Sequence, residues 1–123
     1  MPDNPNIRIF NPPEMHAPLG YSHVAEVTRG KIIYLAGQVA LDASGNLVGK
    51  DDFGAQVRQV FANLKTALAS AGADFTNVVK LNYYCVDTVD PAQIGVVRTI
   101  RDSHVNTANP PPSTFVVVRR LVR

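Results

Sequence analysis

Cysteine is nearly absent from this chain: Cys85 stands alone among 123 residues. A lone thiol closes no internal disulfide and cannot build a cysteine-based zinc site by itself. Long hydrophobic runs are missing too. Ile32-Ile33-Tyr34-Leu35-Ala36 is typical of the apolar stretches, far short of the ~20 residues a membrane-spanning helix needs. The start, Met1-Pro2-Asp3-Asn4-Pro5, has neither the basic leader nor the apolar core of a signal peptide. The expected compartment is therefore the cytoplasm, with no membrane partner. Nor does one sign of charge dominate. Twelve Lys and Arg against ten Asp and Glu leave a formal net charge of +2, too near balance for a nucleic-acid coating. Arg119, Arg120 and Arg123 crowd the C-terminus, but no basic–aromatic ladder accompanies them. They read as a solvated strand end, and nucleic acid is not an expected partner.

Several catalytic signatures are also lacking. His16, His23 and His104 show no metal-binding spacing and read as structural or solvated histidines. There is no phosphate-cradling glycine loop, no dinucleotide fingerprint and no Gly-x-Ser-x-Gly elbow. Cys85 falls mid-strand on an apolar face, where a packed thiol is expected rather than a nucleophile. Asp51-Asp52 resemble a carboxylate pair but sit where a helix begins, which suits capping. No metal and no cofactor are expected.

What is present is 46% apolar residues, enough for one globular domain over residues 1–123. Residues 1–20 are proline-rich and read as an extended lead-in, with one short strand at Ile7–Phe10. Residues 23–28 and 31–41 read as two strands joined at Arg29-Gly30. From about Asp52 to Ala71, the positions Phe53, Val57, Val60, Phe61, Leu64, Leu68 and Ala71 fall in one stripe, the signature of a helix with a core-facing side. Val78–Val86 is a strand. A second helix starts at Asp90-Pro91, and Thr114–Val118 is a last strand, apolar on both faces.

The predicted class is α+β: a single mixed sheet backed by two helices on one face. Strand–helix–strand crossovers of the usual hand place both helices on the same side. The other face of the sheet is also apolar, with Tyr84, Val116 and Val118, and no third helix exists to cover it. Copies of the chain are expected to do so.

Several stretches carry a resemblance. They are Gly20-Tyr21-Ser22-His23-Val24, Leu35-Ala36-Gly37-Gln38-Val39, Gln56-Val57-Arg58-Gln59 through Asn63-Leu64, Ala71-Gly72-Ala73, Val78-Val79-Lys80, Val86-Asp87 and Pro111-Pro112-Ser113-Thr114. Together they resemble the RidA (YjgF-like) family of imine deaminases, once described as endoribonucleases or translation inhibitors. The resemblance implies a homotrimer with a barrel-like centre and a small-molecule ligand in each cleft between subunits. It also implies hydrolysis of imines or enamines to keto acids and ammonia.

Carried over by position, the ligand site would include Tyr21 and the pair Ala36 and Gly37. Gly95 stands where the deaminases have an asparagine. The family's carboxylate-gripping arginine falls on Ser113, or on Pro112 if the alignment slips by one, with Thr114 beside it. A final strand bearing a glutamate has no match in these residues, so no catalytic residue is assigned. Arg101, on the apolar side of the second helix, either snorkels to solvent, the favoured reading, or turns into a cleft as a replacement cation. Three functions follow: a RidA-like hydrolase with altered substrate choice, a non-catalytic metabolite-binding trimer, and, ranked last, an RNA-binding or RNA-cleaving protein.

Overall fold

The computed structural model describes residues 4–122; Arg123, counted above with the basic end, lies outside them. The longest element, α1 (Phe53–Ser70), starts where the sequence predicts. The Asp52 side chain accepts from the backbone N–H of Ala55 at 3.0 Å, satisfying one of the free donors of a helix N-terminus. It ends at Ala71, and Gly72 then turns the chain at φ +73°, a conformation that favours glycine. Its inward stripe supplies Val57, Phe61 and Leu68 to the core, where they meet Phe75, Val97 and Val105.

Four short strands accompany it. β1 (Ile7–Phe10) pairs antiparallel with β2 (Val24–Val27), Ile7 opposite Val27. β3 (Leu81–Val86) pairs parallel with β4 (Ser113–Val118), Leu81 opposite Ser113. The parallel pair requires a crossover, and α2 (Gly95–Asp102) lies within it, packed on α1. Two helices with small sheets make the predicted α+β class.

The structure departs from the predicted elements at three points. First, residues 31–41 form no strand beyond one bridge, Leu41 to Leu47. β2 takes β1 as its partner, and no strand lies beside residues 31–39 among those described. Ile32 and Tyr34 are consequently 76% and 89% exposed. The sheet thus forms in two pieces. The end of this segment is held from α1, where the Asn63 amide donates to the carbonyls of Val39 and Leu41 at 3.2 and 2.9 Å. Second, β3 begins at Leu81 rather than Val78, because Asp74 caps a short 3₁₀ turn, Phe75–Asn77, ahead of it. Third, Asp90 and Pro91 open a 3₁₀ turn, Pro91–Gln93, and α2 proper follows at Gly95.

Along β3 the side chains alternate as expected: Leu81, Tyr83 and Cys85 turn toward the helices, Asn82 and Tyr84 away. Tyr84 is 62% exposed, and Val116, directly opposite it on β4, is 37% exposed. Among the described residues nothing covers that apolar face.

His104 closes the core between two aromatic rings, 5.2 Å from Phe61 and 5.1 Å from Phe75. Burial lowers its pKa from the ordinary histidine value, and the nearby Lys65 charge adds to the effect. The neutral ring is the form that fits. Below a pH of about 6.5 the unfolded chain takes up a proton at this site more readily than the folded one, so folding stability falls as pH drops. His104→Phe is expected to flatten that part of the stability–pH curve in urea titrations between pH 7.5 and 5. An unchanged slope would refute the assignment.

Candidate functional site

The loop before β2 is tied together by its own polar groups. The Asn11 side-chain amide oxygen Oδ1 accepts from the His23 backbone N–H at 2.7 Å, and His23 Nε2 lies 2.8 Å from the His16 backbone carbonyl oxygen. His16 Nε2 is 2.9 Å from the Tyr21 hydroxyl. The His16 and His23 rings meet edge to face at 4.7 Å, and His23 meets Tyr21 likewise at 5.6 Å. The two histidines therefore brace the loop that presents Tyr21.

Behind the loop lies α2. Gly20 has φ +77°, and a Cβ there would fall 2.7 Å from Arg98 Nε and 2.9 Å from Arg101 Nη2. The left-handed φ favours glycine there, while the two guanidinium groups sit at the ends of flexible side chains that a Cβ would push aside. Arg101 is only 7% exposed, which corrects the favoured expectation that it snorkels to solvent. Its Nε and Nη2 donate to Asp102 Oδ1 at 3.1 and 2.7 Å, while Arg98 Nε stands 4.0 Å from Asp102 Oδ2.

Loop and helix enclose a mostly polar cavity of about 230 Å³, lined by Tyr21, Ser22, Arg98, Arg101 and Asp102 among others. One wall of the arrangement reaches the core. The Tyr83 hydroxyl is buried and has no hydrogen-bond partner among the described residues. Burial pushes its phenol above the ordinary value, against the pull of the Arg101 guanidinium. Cys85 is buried on the same strand, and burial pushes its thiol up as well, in keeping with a packed rather than a nucleophilic sulfur.

Of the sequence-predicted site residues, Tyr21 and Arg101 meet at this cavity. The others lie elsewhere on the protomer. Ala36 and Gly37 are exposed in the unpaired segment 31–41. Gly95 opens α2 with open space around it. Pro112, Ser113 and Thr114 lead into β4, where Lys80 Nζ donates to Thr114 Oγ1 at 2.7 Å. Arg98, Asp102 and Ser22 were not singled out from the sequence. The spacing of Arg98, Arg101 and Asp102 was a readable signal, since positions three and four apart share a helix face. Nothing in the sequence pointed to Ser22.

Comparison with known proteins decides the family. The profile of the family described as Endoribonuclease L-PSP matches residues 13–123. The chain belongs to this family, the RidA family. Among RidA-family relatives, a RutC family protein of Synechocystis is 31% identical over 116 residues, 94% of this chain and 86% of that protein. Protein DfrA of Myxococcus xanthus is 34% identical over 103 residues, 84% of this chain and 76% of its own. The mouse 2-iminobutanoate/2-iminopropanoate deaminase is 32% identical over 97 residues, 79% of this chain and 68% of that protein. In three dimensions, a conserved Rid-family protein of unknown function from Yersinia pestis superposes with a TM-score of 0.83 at 36% identity, over 96% of this chain and 90% of that one.

Proposed function

We propose that the chain hydrolyses small imines or enamines to a carbonyl compound and ammonia, in sites completed when copies of the chain associate. The reaction consumes water: the C=N bond is replaced by C=O, and the nitrogen leaves as ammonia. The observation that carries this reading is Tyr21, held by His16 at the mouth of a polar cavity in a RidA-family fold. Relatives named 2-iminobutanoate/2-iminopropanoate deaminase, such as the mouse protein, support it. The uncovered Tyr84–Val116 face supports association into a trimer.

The test is ammonia release from 2-iminopropanoate and a panel of related imines and enamines generated in situ. Turnover above buffer is expected, lowered roughly five- to twelvefold by Tyr21→Phe, which removes the hydroxyl that a hydrogen bond worth about 1–1.5 kcal/mol would engage. No release from any member of the panel, with the protein folded, would sink the hydrolytic reading.

A second reading has its own observation. Pro112 and Ser113, where the family arginine would fall, bring no cation to that position. This favours a metabolite-binding trimer without catalysis. A ligand that stabilises the protein and is recovered unchanged would favour that reading.

A further inference from the structure

β1 pairs with β2 on one side only. The alternation of an antiparallel ladder shows which of its backbone groups that pairing uses. One step before the Ile7–Val27 pair, the Thr28 backbone N–H donates to the Asn6 carbonyl at 2.9 Å. Asn6 therefore faces β2, and with a period of two so do Arg8 and Phe10. Ile7 and Ile9 turn their backbone groups the other way. In keeping with that, the Ile7 N–H donates to the Asn4 carbonyl at 3.1 Å, in a turn outside the ladder. The Ile7 carbonyl and both the N–H and the carbonyl of Ile9 have no hydrogen-bond partner among the described residues.

This free edge forms one side of a groove of about 240 Å³. Phe75, Val78 and Pro111 give the groove an apolar wall, and Phe75, 6% exposed, belongs to the core. Three amides stand around it: Asn4, Asn106 and Asn109. The first two spend their oxygens on the backbone N–H groups of Asn6 and Ala108, which leaves their NH₂ ends as donors. The Asn109 side chain has no partner among the described residues and offers both a donor and an acceptor. Arg8 is the one charged residue of the lining, and it is engaged elsewhere. Its guanidinium lies 4.1 Å over the Phe10 ring and 3.5 Å from Glu26.

We propose that this groove takes an extended, uncharged peptide segment of a partner protein, added as a new strand along the free edge of β1. The Ile9 N–H donates to the segment, and the Ile7 and Ile9 carbonyls accept from it. An extended chain repeats its donors and acceptors at the spacing of that edge and turns alternate side chains to opposite faces. One apolar side chain of the segment therefore drops against Phe75 and Val78 while its neighbours face outward. Main-chain bonds supply the affinity in such strand addition, and the side-chain pocket supplies the selectivity. A charged ligand would find no unpaired counter-charge here. The amides of Asn4 and Asn109 suit peptide groups instead. No residue lines both this groove and the Tyr21 cavity, so the site is independent of the hydrolytic reading.

The experiment is an NMR titration of the ¹⁵N-labelled full chain with the blocked peptide acetyl-Thr-Thr-Val-Thr-Thr-amide and its forms with Leu or Phe at the centre. Saturable shifts at Ile7, Ile9 and Val78 are expected. Hydrogen exchange of the Ile9 amide is expected to slow about tenfold at saturation, with little change at Arg8, whose amide is already in the ladder. N-methylation at the central residue or at the one beside it removes a donor from one edge of the peptide. One of the two forms is expected to bind roughly five- to tenfold more weakly, the equivalent of one hydrogen bond, and the other as the parent peptide does. Ile9→Pro removes the groove-side donor without touching the bonds to β2, a place where an edge strand tolerates proline, and is expected to weaken binding about tenfold. Should it misfold, the N-methyl peptides and Asn109→Ala, at an exposed residue, decide. The Asn109 variant is expected to bind about threefold more weakly, and Arg58→Ala, on the exposed side of α1, as the parent does. No saturable binding of any peptide at millimolar concentration overturns the proposal. So does equal binding of the parent peptide and both N-methyl forms, or shifts confined to the Tyr21 cavity. Protection of Ile9 that rises with protein concentration, without peptide, assigns the edge to a second copy and overturns it too.

Discussion

Phe61→Ala is expected to destabilise the fold by about 3–5 kcal/mol, the range for emptying a fully buried aromatic site. Phe61 is 2% exposed and stands mid-way along α1. Its ring packs against His104 at 5.2 Å and Phe75 at 6.1 Å, so the loss touches the helix, the 3₁₀ turn before β3 and the turn after α2 together. Aromatic pairs of this kind add roughly 0.5–1.5 kcal/mol to the area term. A domain of this length has a total stability of roughly 6–18 kcal/mol, so the change removes a large share. Urea unfolding at one fixed protomer concentration reads it, because the proposed association would make apparent stability concentration-dependent. The matched control is Arg58→Ala, on the exposed side of the same helix, expected within about 0.5 kcal/mol of the parent. Equal midpoints for the two variants would show that the core is not centred on Phe61.

Tyr84→Asp is expected to dissociate the trimer proposed above. The ring is 62% exposed in one protomer and lies beside Val116 on the uncovered face of the β3–β4 pair. An aromatic side chain buries about 150–250 Å² when it is covered, and each of three copies would contribute one. Placing a carboxylate there sets an unpaired charge in an apolar contact, which costs several kcal/mol per site. The protomer itself should still fold, since the position is already wet. Light scattering is expected to give about 40 kDa for the parent, three times the 13.3 kDa chain, and the single-chain mass for the variant, with ammonia release lost alongside. A parent that runs as a monomer at micromolar concentration would remove the basis for clefts between subunits.

The sequence was most legible where one rule acted alone. α1 has a stripe and a capping aspartate, and both sit where they were expected. β3 alternates and β4 runs apolar on both faces, as read, and the two pair in parallel. Residues 31–41 were misread because they have the composition of a strand, while a strand also needs a neighbour to hydrogen-bond with, and β2 pairs with β1 instead. Arg101 was misjudged for a related reason. Its position on an apolar helix side was visible, but the carboxylate next to it and the glycine that lets it approach the loop act only once the loop has folded back.

By itself, then, the sequence determined the α+β class, the long helix and the family, because local periodicity, caps and an ordered series of short motifs are properties of the chain alone. Tertiary structure decided which strands pair, that Arg101 is buried, and that Tyr21, Ser22 and two arginines share one cavity. Those outcomes depend on segments some eighty residues apart meeting in space, and neither spacing nor composition encodes such meetings one element at a time.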